Sequence, residues 1–393
     1  MPKRLRELYY IAHQDNLPSI FAKGILSHAG VEREGVEFTR VYDEGIVAWR
    51  KSKSTPAGRS LWEYANLYFQ PRNPMLYRLV MEGRLGDLAI LSVDKSVLEQ
   101  EGVFITDGNA ARNETRILPR REWAKYSEEI LRAAALTWWS DTDGSKRKIM
   151  AEVLVPDTVP PEFIKAVYVP DNDARQRVAS LLQNTSRKQV PIIPEPQMFF
   201  QPQRVIRLTA TLRLVEGDMF FSTLQTLTIS VNTVGVMGKG LASRAKYQFP
   251  DAYVRYQDAC KRGWLRPGKP YLYKREASLD LALADEPAML TNANRQTWFL
   301  FFPTKRHWRE RSRLDDIEKG LQWIEQNYRS EGIKSLAMPA LGCGLGGLDW
   351  AVVGPLMVRY LSRLDMPVDI HLPLEGKVPD EQLKREFLLR DAA

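Results

Sequence analysis

In residues 208–393, short apolar segments alternate with amphipathic helices, and this alternation restricts the possible folds more than any other feature of the sequence. The apolar segments include TLTISVN (226–232), WFLFF (298–302), KSLAMPA (334–340) and VDIHLP (368–373). Strands that are apolar on both faces need helices on both faces of their sheet. We therefore predict a three-layer α/β/α domain over residues 204–393.

Residues 1–203 show a different pattern, in which short strands are mixed with helices and long irregular stretches. The stretch 185–206 contains four prolines and follows a helical pattern, so it is typical of a connector. A chain of 393 residues is also longer than one hydrophobic core usually supports. The sequence thus predicts an α+β domain over 1–203, followed by the α/β/α domain over 204–393.

The composition excludes several classes of protein. With 44% hydrophobic and 26% charged residues, the chain is neither disordered nor fibrous, and it contains no run of about 18 apolar residues that could cross a membrane. The start of the chain has no signal-peptide pattern, which predicts a cytoplasmic protein. Two cysteines and four scattered histidines are too few for a disulfide framework or a metal site, so we expect neither disulfides nor a metal ion.

The net charge of +8 is unevenly distributed, with +2 on residues 1–203 and +6 on residues 204–393. Basic proteins attract partners that carry phosphate. Because the first half is almost neutral, any contact with nucleic acid there has to be local.

Two glycine-rich loops follow predicted strands of the second half. VNTVGVMGKGLA (231–242) and MPALGCGLGGLDW (338–350) each lead into a helix. Backbone amides in such loops, together with the helix N-terminus, form sites for anions. The glycine spacing does not fit the dinucleotide-binding fingerprint, whereas two loops at neighbouring strand ends can enclose a diphosphate.

These loops, together with GDMF (217–220) and FFPTKRHWR (301–309), resemble an ADP-ribose-binding macrodomain of the DarG antitoxin type. The resemblance covers most of residues 208–375 and implies a hydrolase that removes ADP-ribose from DNA. It implies that Lys305 is catalytic and attacks the anomeric carbon of the distal ribose, which requires a deprotonated amine. The residues that it assigns to ADP-ribose are Asp218, Asn232, Gly238, Lys239, Gly240, Gly342, Cys343, Gly344 and Leu345. Mammalian relatives have an acidic residue where this chain has Gly346.

The first half offers fewer signals on its own. Tyr10 and His13 lie at the end of a predicted strand, and Glu152 interrupts the otherwise apolar strand AEVLV (151–155). A carboxylate in such a strand faces either water or a cleft in which its charge is used.

The segments YYIAHQDNLPSI, YFQPRNPMLY, FITD, WWSD and KIMAEVLVPD resemble the DarT family of DNA ADP-ribosyltransferases over residues 7–200. The resemblance implies that NAD is the substrate and that ADP-ribose is passed to a base, with thymine favoured, in single-stranded DNA. Glu152 would be the catalytic carboxylate, and the family commonly has histidine where this chain has Tyr10. The resemblance assigns NAD to Tyr10, His13, Asn16, Arg50 and Tyr68, and DNA to Arg72, Met75, Arg116, Trp138 and Trp139.

The sequence therefore predicts a toxin–antitoxin fusion that combines the two enzymes. Tryptophans and basic residues over 112–148 suit single-stranded DNA, although at least one tryptophan could instead belong to the core. Two alternatives stay open at this point: an inactive transferase joined to a macrodomain that only binds ADP-ribose, and a transferase that acts on guanine, RNA or protein. The sequence does not indicate the oligomeric state.

Overall fold

The chain folds into two compact units. The computed structural model describes residues 5–42, 49–183, 190–291, 293–294, 296–373 and 376–390. The first unit consists of Met1–Phe200 together with Ala282–Asn292, and the second consists of Gln201–Leu281 together with Ala293–Ala393. The main boundary lies within the predicted connector 185–206, of which residues 185–189 are outside the described part. The sequence analysis did not anticipate that residues 282–292 belong to the first unit.

The first unit is built on a sheet that is almost entirely antiparallel. Its strands occur in the order β10-β9-β4-β1-β3-β7-β5-β6, and only the pair β9–β10 is parallel. A small sheet pairs β2 with β8. The strands are β1 (Glu7–His13), β2 (Ile25–Leu26), β3 (Tyr64–Tyr68), β4 (Leu88–Asp94), β5 (Phe104–Thr106), β6 (Ile117–Pro119), β7 (Glu152–Pro156), β8 (Thr158–Val159), β9 (Ile164–Val169) and β10 (Ile192–Pro194).

Six described helices pack around this sheet, and local sequence signals explain where several of them begin. The Asn73 side chain accepts a hydrogen bond from the Leu76 amide at 3.0 Å, and Pro74 follows Asn73 directly. Asp171 caps another helix in the same way, through the Ala174 amide at 2.7 Å. The helices are α1 (Leu17–Lys23), α2 (His28–Glu34), α3 (Pro74–Leu79), α4 (Trp123–Ala134), α5 (Ser145–Lys148) and α6 (Asn172–Leu182).

The second unit has a seven-stranded mixed sheet in the order β11-β12-β17-β16-β13-β15-β14. Its five central strands are parallel, and each edge pair is antiparallel. The strands are β11 (Arg204–Arg207), β12 (Leu212–Glu216), β13 (Thr226–Asn232), β14 (Tyr271–Tyr273), β15 (Trp298–Lys305), β16 (Leu336–Pro339) and β17 (Val368–His371). The described helices after Phe200 are α7 (Gly240–Gln248), α8 (Pro250–Lys261), α9 (Leu279–Leu283), α10 (Leu314–Glu331), α11 (Trp350–Leu361) and α12 (Arg385–Leu388), and the last two residues of α9 belong to the first unit.

The central strands of the second unit are buried along nearly their whole length, as the apolar sequence of these strands predicted. In β15, Phe299, Leu300, Phe301 and Phe302 are all fully buried. Within the described ranges, no helix is both long and apolar enough to cross a membrane.

Helix α10 approaches β15 unusually closely at Gly320. A methyl group on Gly320 would lie 2.3 Å from the Phe302 ring, so only glycine fits between the helix and the strand. Phe302 lies three residues before the end of β15, so this contact holds the part of the strand that leads to Lys305.

We predict that Gly320→Ala destabilises the second unit by about 1–3 kcal/mol, because the added methyl group overpacks the core. Thermal or urea unfolding of the full chain measures the effect. Gln326→Ala, at an exposed position of the same helix, is the matched control and should change stability by less than about 0.5 kcal/mol. Equal stabilities of Gly320→Ala and the control would contradict the close approach.

Candidate active sites

Glu152 is the first residue of β7, and it is almost completely buried, with 1% of its surface exposed. The register of the sheet places Glu152 opposite Tyr68 at the end of β3. Side chains that lie opposite each other in antiparallel strands share one face of the sheet. The predicted catalytic carboxylate and the predicted NAD-contacting tyrosine are thus neighbours.

The Glu152 carboxylate is held by a cation and a backbone amide. Arg50 Nη1 donates hydrogen bonds to both carboxylate oxygens, at 2.9 and 3.3 Å, and the Ala110 amide donates to Oε1 at 3.0 Å. Both charged side chains are buried, so the attraction between them is only weakly screened by water. These contacts fix the carboxylate in one orientation.

Arg50 retains an unused donor. Its Nη2 atom is buried and makes no hydrogen bond to the part of the chain that the structure describes. A buried guanidinium donor without an acceptor is costly, and a phosphate or ribose oxygen of a ligand would satisfy it. This atom supports the assignment of Arg50 to NAD.

Tyr68 keeps its proton at neutral pH. Burial, with a further contribution from the nearby Glu152 charge, raises the pKa of its phenol far above the usual range. The hydroxyl group lies 3.5 Å from the Met75 sulfur, to which it donates a weak hydrogen bond. Tyr68 and Met75, which the sequence analysis assigned to NAD and to DNA respectively, are therefore in contact.

Tyr10 and Asn16 line a largely apolar cavity of the first unit. Asn16 exchanges two hydrogen bonds of 2.8 Å with the backbone of Thr39 and so fixes the loop over the cavity. Burial raises the pKa of Tyr10 to about 12, so this tyrosine is a neutral hydroxyl where the family commonly has histidine. His13 does not line this cavity; its Nδ1 accepts a hydrogen bond from the Asp15 amide at 3.2 Å.

The residues that the sequence analysis assigned to DNA have different environments. The Arg72 guanidinium stacks on the Phe200 ring at 4.9 Å. Arg116 is 44% exposed and is paired with Asp107 at 2.6 Å. Trp138 is partly buried.

The structure does not show the exposed ring that the predicted contact of Trp139 with DNA requires. Trp139 is 2% exposed, packs edge-on against Tyr77 and Phe200, and donates from its indole nitrogen to the Leu283 carbonyl at 2.8 Å. A ring enclosed in this way has no free face for a base. The alternative that one tryptophan belongs to the core therefore holds for Trp139.

A cleft of about 700 Å³ lies beside Glu152. Asn109 and Met150 form the part of its lining that flanks Ala110 and Glu152, and Trp49, next to Arg50, also lines it. Trp49 is 61% exposed, which is unusual for a tryptophan. The cleft thus combines an exposed aromatic face with basic side chains, next to residues that flank Glu152 in the chain.

In the second unit, Asn232 and Lys305 lie side by side. Both are the last residues of parallel strands, β13 and β15, and they are paired in register. The carboxyl ends of neighbouring parallel strands are where α/β proteins bind ligands. Lys305 Nζ donates to the Leu345 carbonyl of the second glycine loop at 2.5 Å, and burial lowers the pKa of its amine.

Asn232 also organises the first glycine loop. Its Oδ1 accepts from the Val234 amide at 3.0 Å, and its Nδ2 donates to the Val236 carbonyl at 2.6 Å. Tyr256 donates to Oδ1 from the other side at 2.9 Å. The loop next turns through Gly235 at a φ of +80°, which favours glycine, and runs past Gly238 and Lys239 to Gly240, where α7 begins.

The second glycine loop leaves no space for a side chain at Gly346. A Cβ atom there would lie 2.3 Å from the Gly342 carbonyl oxygen and 2.5 Å from Ser312 Oγ. The acidic residue of mammalian relatives is therefore excluded from this loop conformation. Ser312 Oγ is itself buried without a partner among the described residues, so it can donate to a ligand oxygen.

The other residues assigned to ADP-ribose lie around these loops. Asp218 precedes a short turn, accepts from the Phe220 amide at 3.1 Å and pairs with Arg244 at 2.7 Å. Burial raises the pKa of the Cys343 thiol to about 12, so this cysteine is a neutral loop residue at neutral pH. The side chain of Leu345 is exposed.

Comparison with known proteins identifies the family. A family model described as ssDNA thymidine ADP-ribosyltransferase, DarT, matches residues 9–200, and the macro domain model matches residues 287–357. A DNA ADP-ribosyl transferase–DNA ADP-ribosyl glycohydrolase fusion protein of Thermosipho africanus is 58% identical over 387 residues, which make up 98% of this chain and 99% of the relative. This chain belongs to the same family of fusion proteins.

Two further relatives agree with this assignment. The structure of Thermosipho africanus DarTG in complex with ADP-ribose superimposes with a TM-score of 0.92 and 57% identity, over 98% of this chain and 100% of that chain. A DNA ADP-ribosyl glycohydrolase of Thermus aquaticus is 37% identical over 166 residues, or 42% of each chain. The predicted fusion of a DarT-type transferase with a macrodomain is thus confirmed, as are the two predicted fold classes.

The sequence analysis missed several groups at these sites. The Ala110 amide leaves no signal in the sequence, because any residue provides one. His371 gave a weak signal, as a histidine at the end of an apolar strand. Its Nδ1 lies 3.1 Å from the Gly217 carbonyl, next to Asp218, and burial lowers its pKa, so the neutral ring donates there.

We predict that Gly346→Ala weakens ADP-ribose binding about tenfold or more, because the loop has to move to admit the methyl group. Isothermal titration calorimetry with ADP-ribose measures the change. Gly376→Ala is the control, since nothing lies within 4 Å of the added carbon. Unchanged affinity of Gly346→Ala would contradict the loop geometry.

Proposed function

We propose that the first unit transfers ADP-ribose from NAD to thymine in single-stranded DNA and that the second unit removes it. The buried Arg50–Glu152 ion pair is the main support for the transferase, because two charged groups in the interior are suited to stabilising charge during a reaction rather than to packing a core. The match to a thymidine-specific family model and the confirmed family support thymine and single-stranded DNA. NAD and DNA are both present in the cytoplasm, where we expect the protein to act.

The proposed transfer breaks the bond between nicotinamide and the anomeric carbon of the ribose, and neutral nicotinamide leaves. Glu152 stabilises the positive charge that develops on the ribose, since its carboxylate is fixed and only weakly hydrated. A ring nitrogen of the base then forms the new bond, and its proton passes to Glu152 and on to water. The free Nη2 of Arg50 would hold the diphosphate or a ribose oxygen of NAD.

The proposed hydrolysis depends on Lys305. Its neutral amine attacks the anomeric carbon, the bond to the base breaks, and the base takes up a proton. Water then releases ADP-ribose and restores the amine. The hydrogen bond from Nζ to the Leu345 carbonyl uses one N–H group and leaves the nitrogen lone pair available. Burial lowers the pKa of Lys305 and so increases the fraction of reactive amine.

We expect Lys305→Ala to accumulate modified DNA, whereas the wild-type chain shows little, because modification continues without removal. Each protein is incubated with NAD and single-stranded oligonucleotides that contain or lack thymine, and the products are identified by mass spectrometry. Lys334→Ala, at an exposed position, is the control and should behave like the wild type. Adducts on the thymine-free strand would contradict the proposed base, and equal, negligible adducts in every variant would contradict the transferase.

We also expect Glu152→Gln in the Lys305→Ala chain to reduce adduct formation about 10²–10⁴-fold, because the amide cannot stabilise the developing charge. The Arg50 hydrogen bond to the side-chain oxygen can persist, so the fold is kept. Glu101→Gln, an exposed carboxylate, is the matched control. Full activity of Glu152→Gln would exclude a catalytic role for this residue.

The pH dependence of removal tests the lysine. In the Glu152→Gln chain, the rate of removal from purified modified DNA should rise with pH as the amine loses its proton, and should level off below the ordinary lysine pKa of 10.5. Lys305→Arg keeps the positive charge but cannot deprotonate, so it should be inactive at every pH. A rate that falls with rising pH, or an active Lys305→Arg chain, would contradict attack by the amine.

A further inference from the structure

The segment Ala282–Asn292 is part of the first unit, although it lies far along the chain from the rest of that unit. Two backbone contacts fix it there. The Leu283 carbonyl accepts from the Trp139 indole at 2.8 Å, and the Asp285 amide donates to the Pro74 carbonyl at 3.4 Å. This segment thus explains why Trp139 is buried.

A buried ion pair anchors the same segment. Arg78 is almost fully buried, and its Nε donates to Asp285 Oδ1 at 2.8 Å while its Nη1 donates to Glu82 at 2.6 Å. Removing one partner from a buried cation is strongly destabilising. Asp285 therefore serves as an anchor, and Arg78 neutralises its charge.

Glu286 has a different environment from its neighbour. Its amide donates to Asp285 Oδ1 at 3.0 Å, so the anchor also sets the direction of the chain at this point. Both residues line the cleft beside Glu152, together with Arg112 and Arg147. The Glu286 carboxylate has no ion-pair partner within the part of the molecule that the structure describes.

Two of the three basic side chains that line the cleft are neutralised, whereas Arg112 has no ion-pair partner among the described residues. Lys146 pairs with Asp141 at 3.0 Å, and Arg147 pairs with Asp107 at 3.1 Å. Binding of a phosphate backbone depends on basic residues that can displace its counterions. A cleft with so little free positive charge is a poor site for a polyanion, and the carboxylates of Glu114 and Glu286, which line it without an ion-pair partner among the described residues, make it poorer.

We propose that the segment Ala282–Asn292 forms a wall of the acceptor cleft of the transferase, and that Glu286 weakens the binding of the DNA strand to this cleft. Glu286 repels the phosphates of the acceptor strand and so raises the strand concentration that the transferase needs. The ion pair of Arg78 with Asp285 positions Glu286 for this. The inference rests on the proposed action on single-stranded DNA and adds a residue that sets affinity for that substrate.

The test compares Glu286→Gln with its parent, both in the Lys305→Ala chain so that modified DNA is not removed. Initial rates of adduct formation are measured against oligonucleotide concentration at low and high salt. Removing one charge near the strand should lower KM about threefold at low ionic strength and leave kcat unchanged. The difference should disappear at about 0.5 M salt, where such interactions are screened within a few ångströms.

Glu99→Gln is the matched control, since this exposed carboxylate lies outside the lining of the cleft, and its KM should equal that of the parent. A KM for Glu286→Gln that is unchanged or higher, or a decrease that Glu99→Gln shares, would overturn the inference. If the parent chain forms adducts but the KM values agree, only this inference fails. If the parent forms no adduct, the proposed function fails instead.

Discussion

The chemistry of the first unit depends on a buried pair of opposite charges. Arg50 and Glu152 are both nearly inaccessible to water, and removing either partner of such a buried pair is strongly destabilising. The pair needs β7 to present Glu152 opposite Tyr68, and it needs the Ala110 amide to complete the coordination of the carboxylate. The antiparallel sheet thus supports the carboxylate to which we assign stabilisation of the charge that develops on the ribose.

In the second unit, backbone geometry brings the groups of the candidate site together. Parallel strands bring Asn232 and Lys305 together, and two glycine loops bring amides and carbonyl groups to the same edge. The crowding at Gly346 and at Gly320 shows how little space these loops and layers leave. The proposed nucleophile is the single amine of Lys305, whose pKa is lowered by burial.

Much of this arrangement could be predicted from the sequence, because the responsible signals are local. The apolar strands and the glycine loops indicated the α/β/α unit, and the isolated acidic residue in AEVLV indicated Glu152. The errors and omissions concern contacts between distant parts of the chain. The sequence predicts that Trp139 stacks on a base, whereas in the structure its indole nitrogen donates to the carbonyl of Leu283, 144 positions away. Asp285 could not be recognised as the partner of Arg78 for the same reason, since no periodicity links the two.

The path of the chain places a constraint on how the two enzymes can be separated. A chain cut after Phe200 would keep the whole antiparallel sheet of the first unit, yet it would lose Asp285 and the carbonyl of Leu283. Arg78 would then remain in the interior with Glu82 as its counterion. The first unit therefore depends on a segment that the chain supplies only after the second unit's residues up to Leu281.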